Sequence, residues 1–271
     1  MPQPTNLSTT DGVDLSFRQL LGSWRLMAAV APKPSALSAP GFECIFAGVP
    51  VPFFNVALIT DPRVSSAALT AHGRQACDFA ADKDVPWLFI VTHETLDAGV
   101  DPAAALDGCG LAPAMRLTGM VASHLTPAAR AAEGLQLVIP QDDALCAAAI
   151  DINSAAYAMD LAAAKPLMGP SFWADHYLAV GLAAGVPVCS AAVLMVEGFR
   201  YVVLVATLPD QQRRGFAEAA MRHALQAAVD VHGETPTVLH ATEAGRPLYE
   251  RMGYATISRH TVFMEKRFLG H

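Results

Sequence analysis

Apolar runs alternate with amphipathic stretches along the second half of the chain. Short apolar runs are typical of buried strands, and apolar residues three and four positions apart are typical of helices. The pattern predicts, in order, a strand at 134–139, a helix at 142–162, a strand at 200–209, a helix at 211–233, a strand at 236–242, a short helix at 243–253 and a closing strand region at 254–268. In the long helix, residues with helical spacing predict the buried face: Phe216, Ala220, Ala224, Ala227 and Val231.

The first half repeats this order of elements. The pattern predicts a strand at 51–62, a helix at 65–84, a strand at 85–94, a short helix at 101–111 and a strand at 115–125. Equivalent points recur at a nearly fixed offset, among them Pro86 with Pro236, Gly110 with Gly253 and Met120 with Met264. We therefore predict an internal duplication with its boundary in the Ala-rich stretch 127–134, which divides the chain into domains 1–130 and 131–271.

One stretch raises the alternative of a membrane helix. Residues 177–196 run for twenty positions without a charge, which is the length of a membrane span. However, Gly185-Val186-Pro187 interrupts the run, and the proline would break a helix there. Two buried strands joined by a tight turn fit better, followed by a second turn at Glu197-Gly198-Phe199.

These elements predict an α/β fold with a mixed, α+β-like central sheet flanked by helices. Antiparallel hairpins in the region 177–208 feed a parallel strand–helix–strand unit. We expect two domains of this kind in tandem.

Composition narrows the function classes. The 271 residues are 53% hydrophobic and 16% charged, which excludes a disordered polymer. A net charge of −7 argues against a nucleic-acid-binding protein and suits an amine substrate. We expect neither a nucleic-acid nor a membrane partner.

The cysteines and histidines point away from metal and disulfide chemistry. Five cysteines are spaced without a C-x-x-C pair, and the first twenty residues contain no apolar run typical of a signal peptide. We therefore expect reduced thiols, a cytoplasmic location and no bound metal, since the nine histidines show no zinc-binding spacing. The chain also has no G-x-S-x-G motif of a serine hydrolase.

The segment Gln212-Arg213-Arg214-Gly215-Phe216-Ala217 opens the predicted long helix directly after a strand. Backbone N–H groups at a helix start lack intrahelical partners and, with the helix dipole, favour a bound anion. Gly215 allows a phosphate to approach closely, and the two arginines add charge-assisted hydrogen bonds. The alternative is a simple turn with solvated arginines.

The stretch 134–268 resembles the GNAT superfamily of acyl-coenzyme A-dependent N-acetyltransferases. Gln212-x-x-Gly215-x-Ala217 is similar to the family's pyrophosphate loop, and 248–254 (LYERMGY) is similar to its second signature. The first half resembles the fold only. Its corresponding strand end, Thr60-Asp61-Pro62-Arg63, has no glycine loop, so we expect a degenerate GNAT-like copy that binds no coenzyme.

The resemblance implies acetyl-CoA or another acyl-CoA as cosubstrate and the primary amine of a small molecule or peptide as acceptor. Pantetheine would enter a cleft between the strand at 204–207 and the strand at 236–242, and Tyr249 would protonate the leaving thiolate. The implied coenzyme contacts are Leu204, Val205, Ala206, Gln212, Arg213, Arg214, Gly215, Phe216 and Ala217. Tyr249 is equally compatible with a packed aromatic.

Several points stay open at this stage. The strand at 200–208 has no carboxylate, so the general base is unassigned. Glu197, His240 and Glu243 are candidates that fit a surface or capping role equally, and a water relay is the further alternative. Four aromatic residues fit either an acceptor pocket or core packing: Trp87, Tyr157, Phe172 and Trp173. A non-catalytic acyl-CoA sensor or an interaction scaffold is the alternative function, and the sequence is also compatible with a homodimer.

Overall fold

The computed structural model describes residues 7–128 and 130–269. Three predictions include residues outside these ranges. The predicted boundary at 127–134 includes residue 129, the prediction for the first twenty residues includes 1–6, and the predicted domain 131–271 includes 270–271.

The helices are α1 (Thr9–Ala29), α2 (Ser66–Ala80), α3 (Pro102–Asp107), α4 (Asp143–Tyr157), α5 (Pro170–Trp173), α6 (Phe216–His232) and α7 (Arg246–Arg251).

The strands follow the same alternation. They are β1 (Ser35–Ala39), β2 (Phe42–Phe46), β3 (Asn55–Ile59), β4 (Leu88–Thr92), β5 (Leu111–Ala122), β6 (Leu135–Val138), β7 (Tyr177–Ala183), β8 (Val186–Val196), β9 (Phe199–Thr207), β10 (Thr237–Thr242) and β11 (Ala255–Glu265). Every strand and helix predicted between residues 51 and 268 is confirmed, most with shorter ends; strands β5 and β9 begin earlier than predicted, at Leu111 and Phe199. The predictions left residues 1–50 unassigned, and α1, β1 and β2 lie there.

The described residues form two compact units. The carboxy-terminal unit comprises 121–128, 130–240 and 247–255, and the amino-terminal unit comprises 7–120, 241–246 and 256–269. The domain boundary near residue 130 stays a prediction.

Strands β6 to β9 of the carboxy-terminal unit are antiparallel neighbours in chain order. Strand β10 then pairs in parallel with β9 after the crossover helix α6. This is the predicted mixed sheet, in which hairpins feed a parallel unit. Helix α6 packs on β7, β8 and β9, and α4 packs on β8 and β9.

The uncharged stretch 177–196 forms the β7–β8 hairpin. Its turn places Ala184 (φ 50°) and Gly185 (φ 80°) in the left-handed region, and Glu197 (φ 48°) and Gly198 (φ 79°) do the same between β8 and β9. Two consecutive left-handed residues are typical of the tight hairpin turn that matches strand twist. No helix in the described ranges is long and apolar enough to cross a bilayer.

The amino-terminal unit buries both faces of its sheet. Val56 and Leu58 of β3 pack with α1 residues such as Phe17, whereas Ala57 and Ile59 pack in a second cluster with α2 and α3. Successive residues of a strand point to opposite faces, so helices on both sides explain the continuous apolar runs in β3 and β4. Strand β11 pairs antiparallel with β4 in this unit.

The five cysteines are free, and three of them are buried. Burial raises the pKa of the Cys44 and Cys189 thiols to about 12. These two side chains are therefore protonated, unreactive core residues.

A polar cluster is buried between α1 and the sheet of the amino-terminal unit. His260 accepts or donates through Nδ1 to Thr92 Oγ1 at 2.9 Å and through Nε2 to Ser258 Oγ at 2.9 Å. The Ser258 hydroxyl donates to Ser16 Oγ of α1 at 2.8 Å. Burial, with a smaller effect of His93, lowers the pKa of His260 to about 3. The folded protein therefore holds this imidazole neutral.

We expect the free energy of unfolding to fall as the pH drops below 6.5, the ordinary pKa of His260. Below that pH the unfolded chain binds a proton at this side chain that the folded chain does not bind until about pH 3. Each pH unit in this window costs up to about 1.4 kcal/mol. Urea unfolding between neutral pH and pH 5 should show a shallower loss for His260→Gln. Because the other histidines are present in both proteins, equal slopes would contradict the prediction.

Candidate functional site

The parallel pairing of β9 and β10 stops partway along β9. Val202 opposite Leu239 is the last pair in the register that begins with Arg200 opposite Thr237. Strand β9 continues to Thr207. Among the described residues, 203–207 have no registered partner on β10, so this side of β9 offers backbone groups to an extended ligand.

Strand β9 bulges at the point where this pairing ends. Ser190 of β8 lies opposite Ala206, and Ala192 lies opposite Val203, so Leu204 and Val205 together face Ala191. Leu204 has a φ of 52°, in the left-handed region. This conformation costs a residue with a Cβ about 1–2 kcal/mol, and the surrounding structure must hold it.

Tyr157 lies over this bulge. It is the last residue of α4, and its hydroxyl donates a hydrogen bond to the carbonyl of Val205 at 2.9 Å. The side chain remains 45% exposed, although burial around the hydroxyl raises its pKa. Tyr157 is thus the one of the four proposed pocket aromatics that contacts the predicted coenzyme strand.

The other three aromatics are core residues. Phe172 and Trp173 are buried with their rings edge to face at 4.9 Å, and Trp87 is fully buried in the amino-terminal unit. Packing accounts for all three.

Helix α6 begins without a side-chain cap. Its N-cap residue is Gly215, with a φ of 83°, which has no side chain to accept a hydrogen bond from the first turn. By contrast, the first turn of α2 is capped by Ser65 and that of α4 by Asp142. The free N–H groups of α6 therefore remain available to an anion.

Residues 212–214, which precede this helix, are exposed, and a few contacts hold their conformation. Arg213 has a φ of 63°, and the guanidinium of Arg214 lies 4.4 Å from the ring centroid of buried Phe216. Gln212 donates to the carbonyl of Thr207 at 3.4 Å, which ties the loop to the end of β9. Ala217 in the first turn is half-buried.

A groove of about 420 Å³ runs along the first turns of α6. Its far wall includes Arg130, whose Nε lies 3.5 Å from the position that a Cβ on Gly215 would take. Arg222 also lines it and donates to Glu218 and to the carbonyl of Thr126. Sequence reasoning missed Arg130 because it treated 127–134 as a boundary, although an arginine within an Ala-rich stretch was a visible signal.

These features fit the coenzyme that the sequence implied. An elongated chain of amides needs unpaired backbone, which β9 offers, and a pyrophosphate needs unpaired N–H groups beside cations, which α6 and its neighbours offer. The Thr207 hydroxyl lies between the two, buried and with no hydrogen-bond partner among the described residues. A buried orphan hydroxyl at this point is consistent with a polar ligand.

Tyr249 of α7 is buried at 8% exposure. Its ring packs edge to face against Tyr254 at a centroid distance of 6.0 Å. Burial raises its pKa far above the ordinary value, and the phenols of Tyr157 and Tyr254 raise it further. The hydroxyl therefore stays protonated at any ordinary pH and is available as a hydrogen-bond donor.

The three candidate bases occupy different places. Glu197 lies in the β8–β9 turn, about 20 Å along β9 from the bulge at the usual rise per residue, which is too far for it to act there. His240 follows the last β9–β10 pair, and its Nδ1 lies 2.8 Å from the Tyr201 hydroxyl. Glu243 belongs to the amino-terminal unit and lies 3.8 Å from Arg116. Of the three, His240 is nearest along the strands to the point where the β9–β10 pairing ends.

The corresponding segment of the amino-terminal unit is closed. After β3, Val64 pairs with the segment after β4, donating to Thr95 at 2.8 Å and accepting from Asp97 at 2.9 Å. Arg63 adds an ion pair with Asp97 at 2.8 Å. The backbone N–H and carbonyl of Val64 and the charge of Arg63 thus already have partners on the segment after β4.

The amino-terminal unit has its own groove. It measures about 480 Å³, with the polar lining residues His93, Asp101, Arg116, Glu243 and Thr261. His93 Nε2 lies 2.7 Å from Thr261 Oγ1, and burial lowers its pKa. The described residues hold no group of three or more His, Cys, Asp or Glu side chains arranged for a metal ion.

Residues 172–269 match the family described as the acetyltransferase (GNAT) domain. A GCN5-related N-acetyltransferase from Kribbella flavida has a TM-score of 0.69 at 20% identity, over 93% of this chain and 95% of that chain. A GCN5-related N-acetyltransferase from Sphaerobacter thermophilus has a TM-score of 0.57 at 14% identity, over 83% and 76%. No curated protein sequence matches.

A tandem GNAT protein from the clavulanic acid biosynthesis pathway is also similar. It has a TM-score of 0.53 at 13% identity, over 86% of this chain and 83% of that chain. At such identities the likeness concerns the fold alone. The likeness means that the chain has the mixed α/β fold of GNAT proteins, and its residues 172–269 match the GNAT acetyltransferase domain.

Proposed function

We propose that this protein is an N-acetyltransferase that moves the acetyl group of acetyl-CoA to a primary amine on a small molecule or peptide. The observation that carries the proposal is the open end of β9, which leads through residues 208–215 into the uncapped N terminus of α6. Both parts of the coenzyme, amide chain and pyrophosphate, would find unpaired backbone in one continuous segment.

The coenzyme contacts follow from this segment. The pantetheine chain would lie along the backbone of Leu204, Val205 and Ala206, and its amides would pair with those backbone groups that Tyr157, Ser190 and Asn153 leave free. The N–H groups of 213–217 would hold the pyrophosphate, with Gln212 and the side chains of Arg213 and Arg214 at its edge. Buried Phe216 supports Arg214 from below, and the small Ala217 leaves room for the ligand. We add Arg130 to this set because it faces Gly215.

Acetyl-CoA supplies a thioester carbonyl that an amine can attack. An amine has an ordinary pKa of about 10 and must lose a proton first, for which His240 or a water beside it is the candidate acceptor. A backbone N–H on the bulge of β9 would stabilise the charge that develops on the carbonyl oxygen. Tyr249, neutral in its buried position, would donate the proton that the departing thiolate needs.

The two halves would divide these tasks. We propose that 131–271 is the catalytic, coenzyme-binding domain and that 1–130 is a degenerate GNAT-like domain. The closed segment around Val64 and the Ser65 cap on α2 support the absence of a coenzyme site in the first half. Free cysteines and an acidic balance support a cytoplasmic protein without a nucleic-acid or membrane partner.

Thiol release from acetyl-CoA with a panel of amines tests the activity directly. Turnover with any amine would support the enzyme. Coenzyme binding without turnover across the panel would favour the alternative, an acyl-CoA sensor.

We expect Gly215→Asp to weaken acetyl-CoA binding by at least about 100-fold, because a carboxylate would occupy the anion site at the helix N terminus. Calorimetry with the purified protein measures this. Gly233→Asp is the matched control, since Gly233 also has a positive φ (76°) but follows the other end of α6 in open space. Equal affinities in the two variants would remove the loop from the site.

We expect Tyr249→Phe to lower kcat by about 100-fold while coenzyme affinity stays unchanged, since only the acidic hydroxyl is lost. Tyr254→Phe is the control: this second buried phenol contacts Thr237 Oγ1 at 2.9 Å. Because the folded pKa of Tyr249 is raised, wild-type kcat should not decline below pH 10 through loss of this acid. Equal losses in both variants would assign Tyr249 a packing role.

We expect one acetyl-CoA per chain in calorimetric titration of the wild type, because the strand ends of the first half are already paired. The same titration of Gly215→Asp should show no residual tight site. A stoichiometry of two, or a tight site that survives the substitution, would show that the first half binds coenzyme.

A further inference from the structure

The bulge in β9 is held by a buried polar pair on neighbouring elements. The carbonyl of Leu204 accepts a hydrogen bond from Ser190 Oγ of β8 at 3.1 Å and a longer one from Asn153 Nδ2 of α4 at 3.4 Å. Asn153 Nδ2 also donates to Ser190 Oγ at 2.9 Å and to the Ala149 carbonyl of its own helix at 2.8 Å, so its two protons are shared among three acceptors. Both side chains are fully buried, so Asn153, Ser190 and the carbonyl form a directed chain of hydrogen bonds inside the core.

Core packing alone does not explain these two residues. Asn153 Oδ1 is buried without a hydrogen-bond partner among the described residues. An apolar side chain at this position would avoid that cost. The bulge removes the Leu204 carbonyl from the hydrogen bonds between strands, and the Ser190 hydroxyl and the Asn153 amide donate to it instead. Their position therefore indicates that these two side chains hold the conformation of Leu204.

The peptide between Leu204 and Val205 fixes where the next N–H points. No described peptide bond is cis, and in a trans peptide the carbonyl and the following N–H lie on opposite sides. The Leu204 carbonyl is directed towards β8 and α4, so the N–H of Val205 is directed away from them. That is the side on which β9 has lost its β10 partner.

We infer that Asn153 and Ser190 are positioning residues that aim the N–H of Val205 at the thioester carbonyl of bound acyl-CoA. The inference rests on the proposed function. Asn153 and Ser190 do not touch the ligand; they act through the Leu204–Val205 peptide. If either donor is lost, this peptide is free to rotate towards an ordinary strand conformation, and the N–H turns away from the reacting oxygen.

The test compares kcat with coenzyme affinity in Ser190→Ala. We expect kcat to fall about 10- to 100-fold, because a displacement of about 1 Å in a group that acts on the reacting atoms can cost about 100-fold. The KM for acetyl-CoA and the dissociation constant for CoA, which lacks the thioester carbonyl, should stay near the wild-type values. Ser190→Thr keeps the hydroxyl and should restore most of kcat.

Thr237→Val is the matched control for a merely structural effect. Thr237 is a fully buried hydroxyl on β10 that contacts Tyr254, at the end of the strand away from the opening. Its loss should lower Tm without lowering kcat. An unchanged kcat in Ser190→Ala, or an equal loss in Thr237→Val, would overturn the inference while the proposed function stands. Absence of turnover and of coenzyme binding in the wild type would overturn both.

A measurement on the wild type covers the case in which Ser190→Ala does not fold. In ¹⁵N-labelled protein, the Val205 amide proton should move further downfield with acetyl-CoA than with CoA, because only the thioester offers it an acceptor. Equal shifts with the two ligands would contradict the inference.

Discussion

The early end of the β9–β10 ladder is the constraint on which the candidate site depends. A parallel pair normally satisfies the inner backbone groups of both strands, and here it does so only as far as Val202 and Leu239. The groups of 203–207 are therefore left to other partners. Tyr157 takes the carbonyl of Val205, and Ser190 with Asn153 takes that of Leu204. At the candidate site the sheet is interrupted. Side chains of α4 and β8 stabilise strand β9 there, and the edge of β9 towards β10 is open.

The amino-terminal unit also contains two parallel strands joined by a helix, but the backbone groups that follow its strands are paired. Strands β3 and β4 also pair in parallel across a helix, but Val64 joins the segment after β4 and Ser65 caps the helix that follows. Each of these contacts satisfies a group that is unpaired in the carboxy-terminal unit. The two units thus differ locally in two ways: a capping serine stands in one and a glycine in the other, and a backbone bridge stands in one and a bulge in the other.

Much of this protein could be predicted from its sequence because the deciding signals are local. The alternation of apolar runs and amphipathic stretches predicted the strands and helices from residue 51 onward, and Gly185 and Gly198 predicted the two hairpin turns. The long helix was predicted to begin at residue 211, and it begins at Phe216, directly after Gly215. Residues 1–50 were left unassigned although α1 has an apolar face that includes Phe17 and Trp24. The predicted buried face of α6 was partly wrong. Met221, Leu225 and Ala228 are buried, whereas Ala227 is only half-buried and Val231 is 68% exposed. The sheet covers a face rotated from the predicted one and does not reach the last turn of the helix.

The sequence by itself determined the order of elements from residue 51 onward, the mixed sheet and the glycine at the start of α6, since each depends on residues close together in the chain. Only the tertiary structure decided the rest: the left-handed Leu204, the approach of Arg130 to Gly215, the burial of Tyr249 and the pairing of β11 with β4. These features depend on contacts between residues far apart in sequence, such as Asn153 with Leu204. Backbone geometry of that kind is set by which groups packing brings together, and no local pattern records it.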